Sequence, residues 1–364
     1  MASNAPTPAR AGIRRGLWWL LTLAIAVLAG AAMASLGLQL AWMLGPLLVI
    51  GAGSAAGLPL DFPRFARPSG QVVIGAAIGL YFTPEVSALV AELLPLMVLA
   101  GLGVILAGAA IARLLEPLAA IDRTTAFFAS APGGVADMAV LAAHYGGQAG
   151  PVALAQSIRI LAVVAIVPIA VSLSGAHGDA AFQPLDLPFD PARLVVLLLA
   201  GAALGYLLAR ARLPNAWMLG ALATGVTVAL LELPLSAIPG PLINAGQVLL
   251  GTSLGLSFRA GQIRWLWRLV PAALLCTLLL TGLAALTAWG IGLIAHLDVP
   301  TLVLALAPGG ITEMGITAKV LGLGVPLVTA FHVIRIAIVV LMSPLLYRWL
   351  AAPKPPPSGG ASTV

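Results

Sequence analysis

Two acidic residues follow two matched helix breaks in this sequence. The stretch "APGGVADM" begins at Ala131 and "APGGITEM" begins at Ala307, each inside a long apolar segment. A proline and paired glycines weaken a helix, so the freed backbone groups need polar partners. Such a break beside Asp137 or Glu313 is typical of a polar pocket that binds an ion or a small molecule. The break residues with this predicted role are Pro132, Gly133, Gly134, Pro308, Gly309 and Gly310.

Asp137 and Glu313 are the two acids that lie deepest in apolar sequence. A carboxyl group that can gain or lose a proton away from water suits proton coupling. The alternative is a structural ion pair with Arg159 or Arg335, which lie in the apolar segments that follow. Both interpretations remain open at this point.

Arg159 and Arg335 themselves suit the binding of an anion, because a guanidinium stays charged when buried and grips carboxylates or phosphates with a planar fork. Neutralisation of the two acids is an equally good interpretation. Gln156 and His332 lie three residues before each arginine, on the same helix face, and extend the predicted polar lining.

The composition identifies a polytopic membrane protein. Of 364 residues, 61% are apolar and only 8% are charged, whereas about a quarter of the residues of a soluble protein are charged. The net charge of +6 comes from residues scattered in short loops, which argues against direct binding of nucleic acid. With four histidines and one cysteine, a multinuclear metal centre is hard to build, and we expect no cofactor, no metal and no enzyme activity.

The chain contains the same unit twice. "AWMLG" at 41–45 recurs at 216–220, and "GQVVIGAAIGL" at 70–80 recurs as "GQVLLGTSLGL" at 246–256. From Gly70 onward the copies are 176 residues apart without a gap. Each copy holds six apolar segments, predicted near 17–36, 40–59, 69–83, 93–113, 124–143 and 151–172 in the first, and near 194–210, 215–234, 244–258, 269–292, 299–321 and 326–349 in the second.

The predicted fold is therefore all-α, with two membrane repeats of about five transmembrane helices each plus one broken or re-entrant APGG helix. If the APGG segment re-enters, the copies are inverted and their arginines face the cytoplasm, as the positive-inside rule requires. A broken helix that crosses completely is the alternative. The predicted divisions are a cytoplasmic N-terminus (1–16), the first repeat (17–173), a periplasmic linker (174–192), the second repeat (193–350) and a disordered tail (351–364).

The doubled unit, with "AWMLG", "APGGVADM" and the "SIRI" segment, resembles the AbrB-duplication family of bacterial inner-membrane proteins. That family is distinct from the small soluble DNA-binding AbrB regulator. Its members carry two inherited labels, ammonia monooxygenase and regulator of gene expression. The resemblance implies a multi-pass protein of the inner membrane, and the positive-inside rule adds a cytoplasmic N-terminus.

The order of "LGLSF", an arginine-rich loop, an apolar helix and "LALAPGGITEM" also resembles the bile-acid/sodium symporter and cation–proton antiporter superfamily. This resemblance implies inverted repeats whose broken helices form the substrate site. It favours a broken helix that crosses the membrane over a re-entrant hairpin.

The residues favour a secondary transporter, coupled to protons, for a small organic anion or a related metabolite. The expected partners are the lipid bilayer and a small-molecule or ion substrate, and a homodimer remains an option. The alternative is a membrane-embedded regulator that affects gene expression indirectly. Ammonia oxidation is disfavoured by the shortage of metal ligands.

Overall fold

In the computed structural model, residues 8–36, 40–174, 184–213, 215–257 and 266–350 are described. These residues form helices and contain no strand. The fifteen helices of this described part are α1 (Pro8–Ser35), α2 (Ala41–Ala55), α3 (Ala66–Gly79), α4 (Pro84–Glu92), α5 (Leu94–Ala119), α6 (Arg123–Ser130), α7 (Val135–His144), α8 (Ala149–Leu173), α9 (Pro191–Arg210), α10 (Ala216–Leu230), α11 (Gly240–Gly255), α12 (Leu266–Ala295), α13 (Val299–Leu306), α14 (Ile311–Val320) and α15 (Val325–Leu350).

Six of these helices are long and apolar enough to cross a membrane, namely α1, α5, α8, α9, α12 and α15. Two shorter apolar helices, α2 and α10, add to them, and α3 with α4 forms a pair bent by 93°. Large apolar side chains on α1, α9 and α12 point outward, as they do where a helix faces lipid. The architecture is that of an all-α polytopic membrane protein.

Most helix ends differ from the predicted segments by a few residues, and two differences are informative. Helix α1 begins at Pro8, although the first span was predicted to begin at residue 17. The predicted segment 69–83 ends at Gly79, and α4 follows after a turn because Thr83 is extended and Pro84 opens a new helix. The predicted tail 351–364, residues 1–7 of the predicted N-terminus and residues 175–183 of the predicted linker lie outside the described residues.

Glycine contacts join helices from different copies of the repeat. A Cβ atom at Gly75 would lie 2.6 Å from the carbonyl oxygen of Met218, and one at Gly79 would lie 2.5 Å from that of Leu222. In the same way, Gly251 meets the backbone of Met43 on α2. Close backbone contact through small residues is how helices pack in a membrane, so α3 with α10, and α11 with α2, form tight pairs.

Helices α3 and α11, which occupy the same position in the two copies, lie against each other and run in opposite directions. Gly70, near the start of α3, packs on Leu250, and Gly246, near the start of α11, packs on Ile74. Residue numbers therefore rise along α3 in the direction in which they fall along α11.

Candidate functional site

The first APGG segment is a re-entrant hairpin, here called hairpin 1 (residues 123–144). Ala131 leaves the helical conformation at ψ 126° because Pro132 follows it, and α7 begins after the extended residue Gly134. At the other end of α7, the backbone N–H of Gln148 donates to Thr125 Oγ1 at 2.8 Å. Since Thr125 lies in the first turn of α6, the chain returns to the end of the bundle where it entered.

The second APGG segment, hairpin 2 (residues 299–320), folds the same way. Ala307 is extended at ψ 136°, and the backbone N–H of Gly324 donates to Thr301 Oγ1 at 3.1 Å, again closing the mouth of the hairpin. The side chain of Asp298 caps α13 by accepting from the N–H of Thr301 at 2.9 Å. The sequence left open whether the APGG segments cross or re-enter; in this structure they re-enter.

The two hairpins open toward opposite ends of helix α15. Gly324, at the mouth of hairpin 2, directly precedes α15. At the other end of α15, Tyr347 bonds Thr124 at 2.8 Å and the Leu350 carbonyl accepts from Arg123 at 2.6 Å, both at the mouth of hairpin 1. The helix has 26 residues and is about 39 Å long. The mouths thus lie about a membrane thickness apart.

The tips of the hairpins (Ala131–Gly134 and Ala307–Gly310) are each held by an arginine. Arg159 donates to the carbonyls of Ala131 and Gly133 at 3.1 and 3.0 Å. Arg335 donates to the carbonyls of Ala307 and Gly309, both at 2.5 Å. Each arginine lies ten residues after the start of its helix, about 15 Å along it. The unwound tips are therefore satisfied near the middle of the bundle.

This geometry gives the arginines a contact that the sequence did not predict, in addition to their place in the cavity lining described below. Within the described residues, the salt bridges are those of Arg15 with Asp61 and of Arg193 with Asp190. Arg159 and Arg335 thus donate hydrogen bonds to backbone carbonyls and form no ion pair with the acids of the APGG motifs. Their positive charges are left at the tips without a bonded carboxylate.

Gln156 bonds hairpin 1 and His332 is buried within α15, and neither residue lines the cavities described below. The Gln156 amide donates to the carbonyls of Phe128 and Ala131, both at 2.7 Å. His332 is fully buried, with Nδ1 2.9 Å from the carbonyl oxygen of Val328 on its own helix. Pro308 is also buried and lies outside the lining of both cavities.

A small cavity, the central cavity, lies between the two tips. Its volume is about 70 Å³. Residues of both hairpins and of α3, α8, α11 and α15 line it, together with Asn215, which precedes α10. Its charged, polar, glycine and proline lining residues are Arg67, Gln71, Pro132, Gly133, Gly134, Arg159, Asn215, Gly309, Gly310, Thr312, Glu313 and Arg335.

A larger cavity of about 540 Å³, the vestibule, adjoins the central cavity beside hairpin 1. Arg67, Gln71, Gly134 and Asn215 line both cavities, and Asp137 lines the vestibule. The loop between α9 and α10 forms its rim.

The corresponding space beside hairpin 2 is filled. Leu40, Ile78 and Tyr81, which match Asn215, Leu254 and Ser257 in the repeat, are 3%, 1% and 8% exposed. Among the described residues, the vestibule is therefore open beside hairpin 1, while the matching positions beside hairpin 2 are buried.

The structure brings most of the predicted site residues to the central cavity and adds others. Asp137 lies in the vestibule instead, while Gln156, His332 and Pro308 lie behind the tips. Arg67 and Gln71 are lining residues outside the predicted site. The signal for Gln71 is its place in the repeated "GQV" motif, whereas Arg67 resembles an ordinary boundary charge before a helix.

No three His, Cys, Asp or Glu side chains within the described ranges lie close enough together to hold a metal ion.

Comparison with known proteins identifies the family. The profile described as "Transition state regulatory protein AbrB" matches residues 42–351. "Putative regulator AbrB" of Escherichia coli (strain K12) is 27% identical over 346 residues, covering 93% of this chain and 98% of that protein. "Uncharacterized protein YhjN" of Bacillus subtilis (strain 168) is 25% identical over 372 residues, covering 92% and 93%. The motifs predicted this family, and since the profile spans most of the sequence, the chain belongs to the AbrB family.

Proposed function

We propose that the protein is a secondary transporter, coupled to protons, that carries a small organic anion across the cytoplasmic membrane. One observation carries the proposal: two re-entrant hairpins open toward opposite ends of α15, and their tips meet at a polar cavity. Paired breaks of this kind in inverted halves are the usual form of a transporter's binding site at mid-membrane.

The charges around the central cavity favour an anion. Arg67, Arg159 and Arg335 line it, against the single carboxylate of Glu313. The N-termini of α7 and α14 also begin at this cavity, and helix N-termini attract negative charge. The net field therefore favours an anionic substrate over a cation.

Asp137 and Glu313 are the proposed proton carriers. Neither forms a salt bridge within the described residues, and each lines a cavity of the site. A carboxyl group without a bonded cation can be held in the neutral form, so proton uptake there can accompany the movement of an anion.

The arrangement of the two copies supports alternating access. We propose that they form an inverted repeat, because the equivalent helices α3 and α11 run in opposite directions and the hairpins open at opposite ends. An open vestibule on one side and a filled one on the other is what one state of such a transporter requires.

The side of the vestibule is proposed from charge. Arg67 and Arg212 line the vestibule, and the positive-inside rule places a cation-rich end of the bundle in the cytoplasm. At the far end of α3, Leu185 of the predicted periplasmic linker bonds the carbonyl of Leu80 at 2.8 Å. The N-terminus is then cytoplasmic.

The test is uptake by the full-length protein reconstituted in liposomes, with radiolabelled acetate, phenylacetate, succinate and inorganic phosphate as probes. We expect saturable accumulation of at least one carboxylate, driven by an imposed pH gradient and abolished by a proton ionophore. Asp137→Asn should remove the response to the pH gradient, while Glu92→Gln, a change at an exposed acid outside the site, should leave it intact.

Failure of every probe to accumulate in liposomes that contain folded wild-type protein would contradict the proposal. Accumulation that is equal in wild-type and Asp137→Asn liposomes would retain the transport and remove the proton coupling from this residue.

A second candidate is a membrane-embedded regulator that alters gene expression indirectly. The printed names of the family and of the Escherichia coli relative favour it. A strain that lacks the gene would be complemented with Asp137→Asn or Glu313→Gln and its transcript profile compared with wild type. Restoration by variants that do not transport would favour contact with a partner protein over transport.

A further inference from the structure

The anion-binding role of Arg159 and Arg335 is limited by their hydrogen bonds. Both terminal nitrogens of each guanidinium already donate to tip carbonyls, and both Nε atoms are buried without a hydrogen-bond partner. Each side chain thus uses two of its five N–H groups to bond a hairpin tip and is held in place by these bonds. Both arginines supply positive charge at the tips, and a guanidinium without bonds to the protein is better placed to adapt to the substrate's anionic atoms.

Arg67 is a guanidinium of this site that no described residue bonds, and its charge acts on the carboxyl group of Glu313. It lies in the first turn of α3, lines both cavities, and has neither a salt bridge nor a hydrogen bond to another described residue. It is exposed, and since it faces the vestibule, that exposure is toward the cavity. Its fork remains available for a carboxylate.

Gln71 lies one helical turn after Arg67 on the same face of α3. Its side chain is 6% exposed and has no hydrogen-bond partner among the described residues, although it lines both cavities. Its amide therefore reaches the surface of the cavities, where a ligand can bond it. This places a neutral hydrogen-bonding group beside Arg67 where the vestibule meets the central cavity.

The pair of Arg67 and Gln71 occurs in the first copy of the repeat and not in the second. The residue that corresponds to Gln71 is Gln247, but the one that corresponds to Arg67 is Ile243. The second half of the protein thus retains the amide and lacks the cation.

We infer that Arg67 and Gln71 grip the carboxylate of the transported anion where the vestibule meets the central cavity. The inference rests on the proposed function and names the substrate's class as a monocarboxylate. A single free guanidinium serves one anionic group, and Asp137 in the same vestibule repels a second whenever its carboxyl group is ionised. The apolar vestibule residues Leu47, Leu161 and Trp217 accommodate an apolar body behind the carboxylate.

The test is isothermal titration of the purified full-length protein in detergent with phenylacetate, acetate, succinate and inorganic phosphate. We expect phenylacetate to bind more tightly than acetate, and succinate and phosphate to bind weakest. Arg67→Ala should weaken phenylacetate binding by at least about tenfold, because it removes a charge-assisted bond. Arg67→Lys, which keeps the charge and loses the fork, should recover part of the affinity.

Gln71→Leu should weaken binding by about fivefold or more, as for a neutral hydrogen bond to a charged group. The matched control is Arg64→Ala, because Arg64 is an exposed arginine three residues earlier that lines neither cavity. It should bind phenylacetate as wild type does. Thermal melting of each variant checks that the fold is kept.

The outcomes separate the two proposals. If wild type binds none of the four probes, both the inference and the transport of a carboxylate are overturned. If wild type binds phenylacetate and Arg67→Ala, with its fold kept, binds it equally well, the inference alone is overturned. Tighter binding of succinate or phosphate than of phenylacetate would overturn the assignment of a monocarboxylate.

Discussion

Asp137 and Glu313 occupy the same position in their hairpins but differ in their access to solvent. Each is the third residue of the helix that follows its tip, and the two are 176 positions apart. Asp137 is partly exposed in the vestibule, whereas Glu313 is 7% exposed in the central cavity. Two equivalent carboxyl groups thus have unequal contact with water.

The difference in solvent access predicts different rates of chemical labelling at positions 137 and 313. A cysteine at position 137 should react with a water-soluble methanethiosulfonate reagent at least about ten times faster than one at position 313. The expected difference follows from the vestibule, because the reagent needs an aqueous path to the thiol. Each variant is made with Cys276→Ser, and wild type with its buried Cys276 serves as the unlabelled control. Equal rates at the two positions would contradict a site that opens on one side.

The hydrogen bonds from Arg335 to the tip of hairpin 2 predict that its replacement lowers the stability of the fold as well as any binding of a ligand. Arg335→Met leaves the carbonyls of Ala307 and Gly309 buried without a donor, at about 1–3 kcal/mol each. The free energy of unfolding should fall by about 2–6 kcal/mol, measured by thermal or denaturant unfolding in detergent. Arg335→Lys should recover only part, because an ammonium cannot reproduce the fork.

Arg348→Met is the control for this prediction, since Arg348 is exposed near the end of the same helix. It should unfold as wild type does. An Arg335→Met protein that keeps wild-type stability and loses only ligand binding would show that the arginine serves the substrate instead of the hairpin.

The glycine contacts between the copies predict a position-dependent cost of a single methyl group. Gly75→Ala places a Cβ atom 2.6 Å from the Met218 carbonyl, so α3 and α10 must separate. Overpacking of this kind costs about 1–3 kcal/mol. Gly282→Ala on α12 is the matched control, because no atom lies within 4 Å of the added carbon, and it should be neutral or slightly stabilising. Similar melting temperatures for the two variants would contradict the tight packing of α3 on α10.

Asp61, in the loop between α2 and α3, predicts a small dependence of stability on pH. Burial raises its pKa, but hydrogen bonds from Arg15 at 2.8 Å, from Trp19 at 3.1 Å and from the Phe62 N–H outweigh this, so the pKa lies below its usual value. A lowered pKa in the folded state stabilises the fold above the unfolded pKa of about 3.9, and this contribution is lost as pH falls through the lower folded value.

Because Arg15 and Asp61 are both partly exposed, the contribution should stay below about 1 kcal/mol. It is measured as the difference in unfolding free energy between wild type and Asp61→Asn at pH 7 and at pH 3. The difference should shrink at the lower pH. A difference that is the same at both pH values would contradict ionisation as its source.

The repeat, the helical class and the position of the breaks could all be predicted from the sequence, because each is written in local residue types. Pro132, Gly133 and Gly134 end α6 whether the segment crosses the membrane or returns. The return of the chain was not predictable in this way, since it depends on the bond between Gln148 and Thr125, a contact formed only in the folded bundle.

The roles of the charged residues were the least predictable part. Arg159 has the same sequence neighbourhood whether it bonds a carboxylate or a carbonyl, so only geometry separates the two. Arg67 has no counterpart in the second copy, and its place near the start of α3 resembles an ordinary boundary charge. A search guided by the internal repeat therefore passes over the residue that makes the site asymmetric.

The glycine contacts between the two copies also affect how the protein folds during its synthesis. Helix α2 completes its packing against Gly251 and Gly255, which are synthesised about 200 residues after α2 itself ends. At about 5–20 residues per second, the first half waits roughly 10–40 s for its partner. During that time its small-residue face is open to lipid or to other helices. The two halves are thus interdependent during biogenesis, and a chain cut at the linker should mature only when both pieces are produced in the same cell.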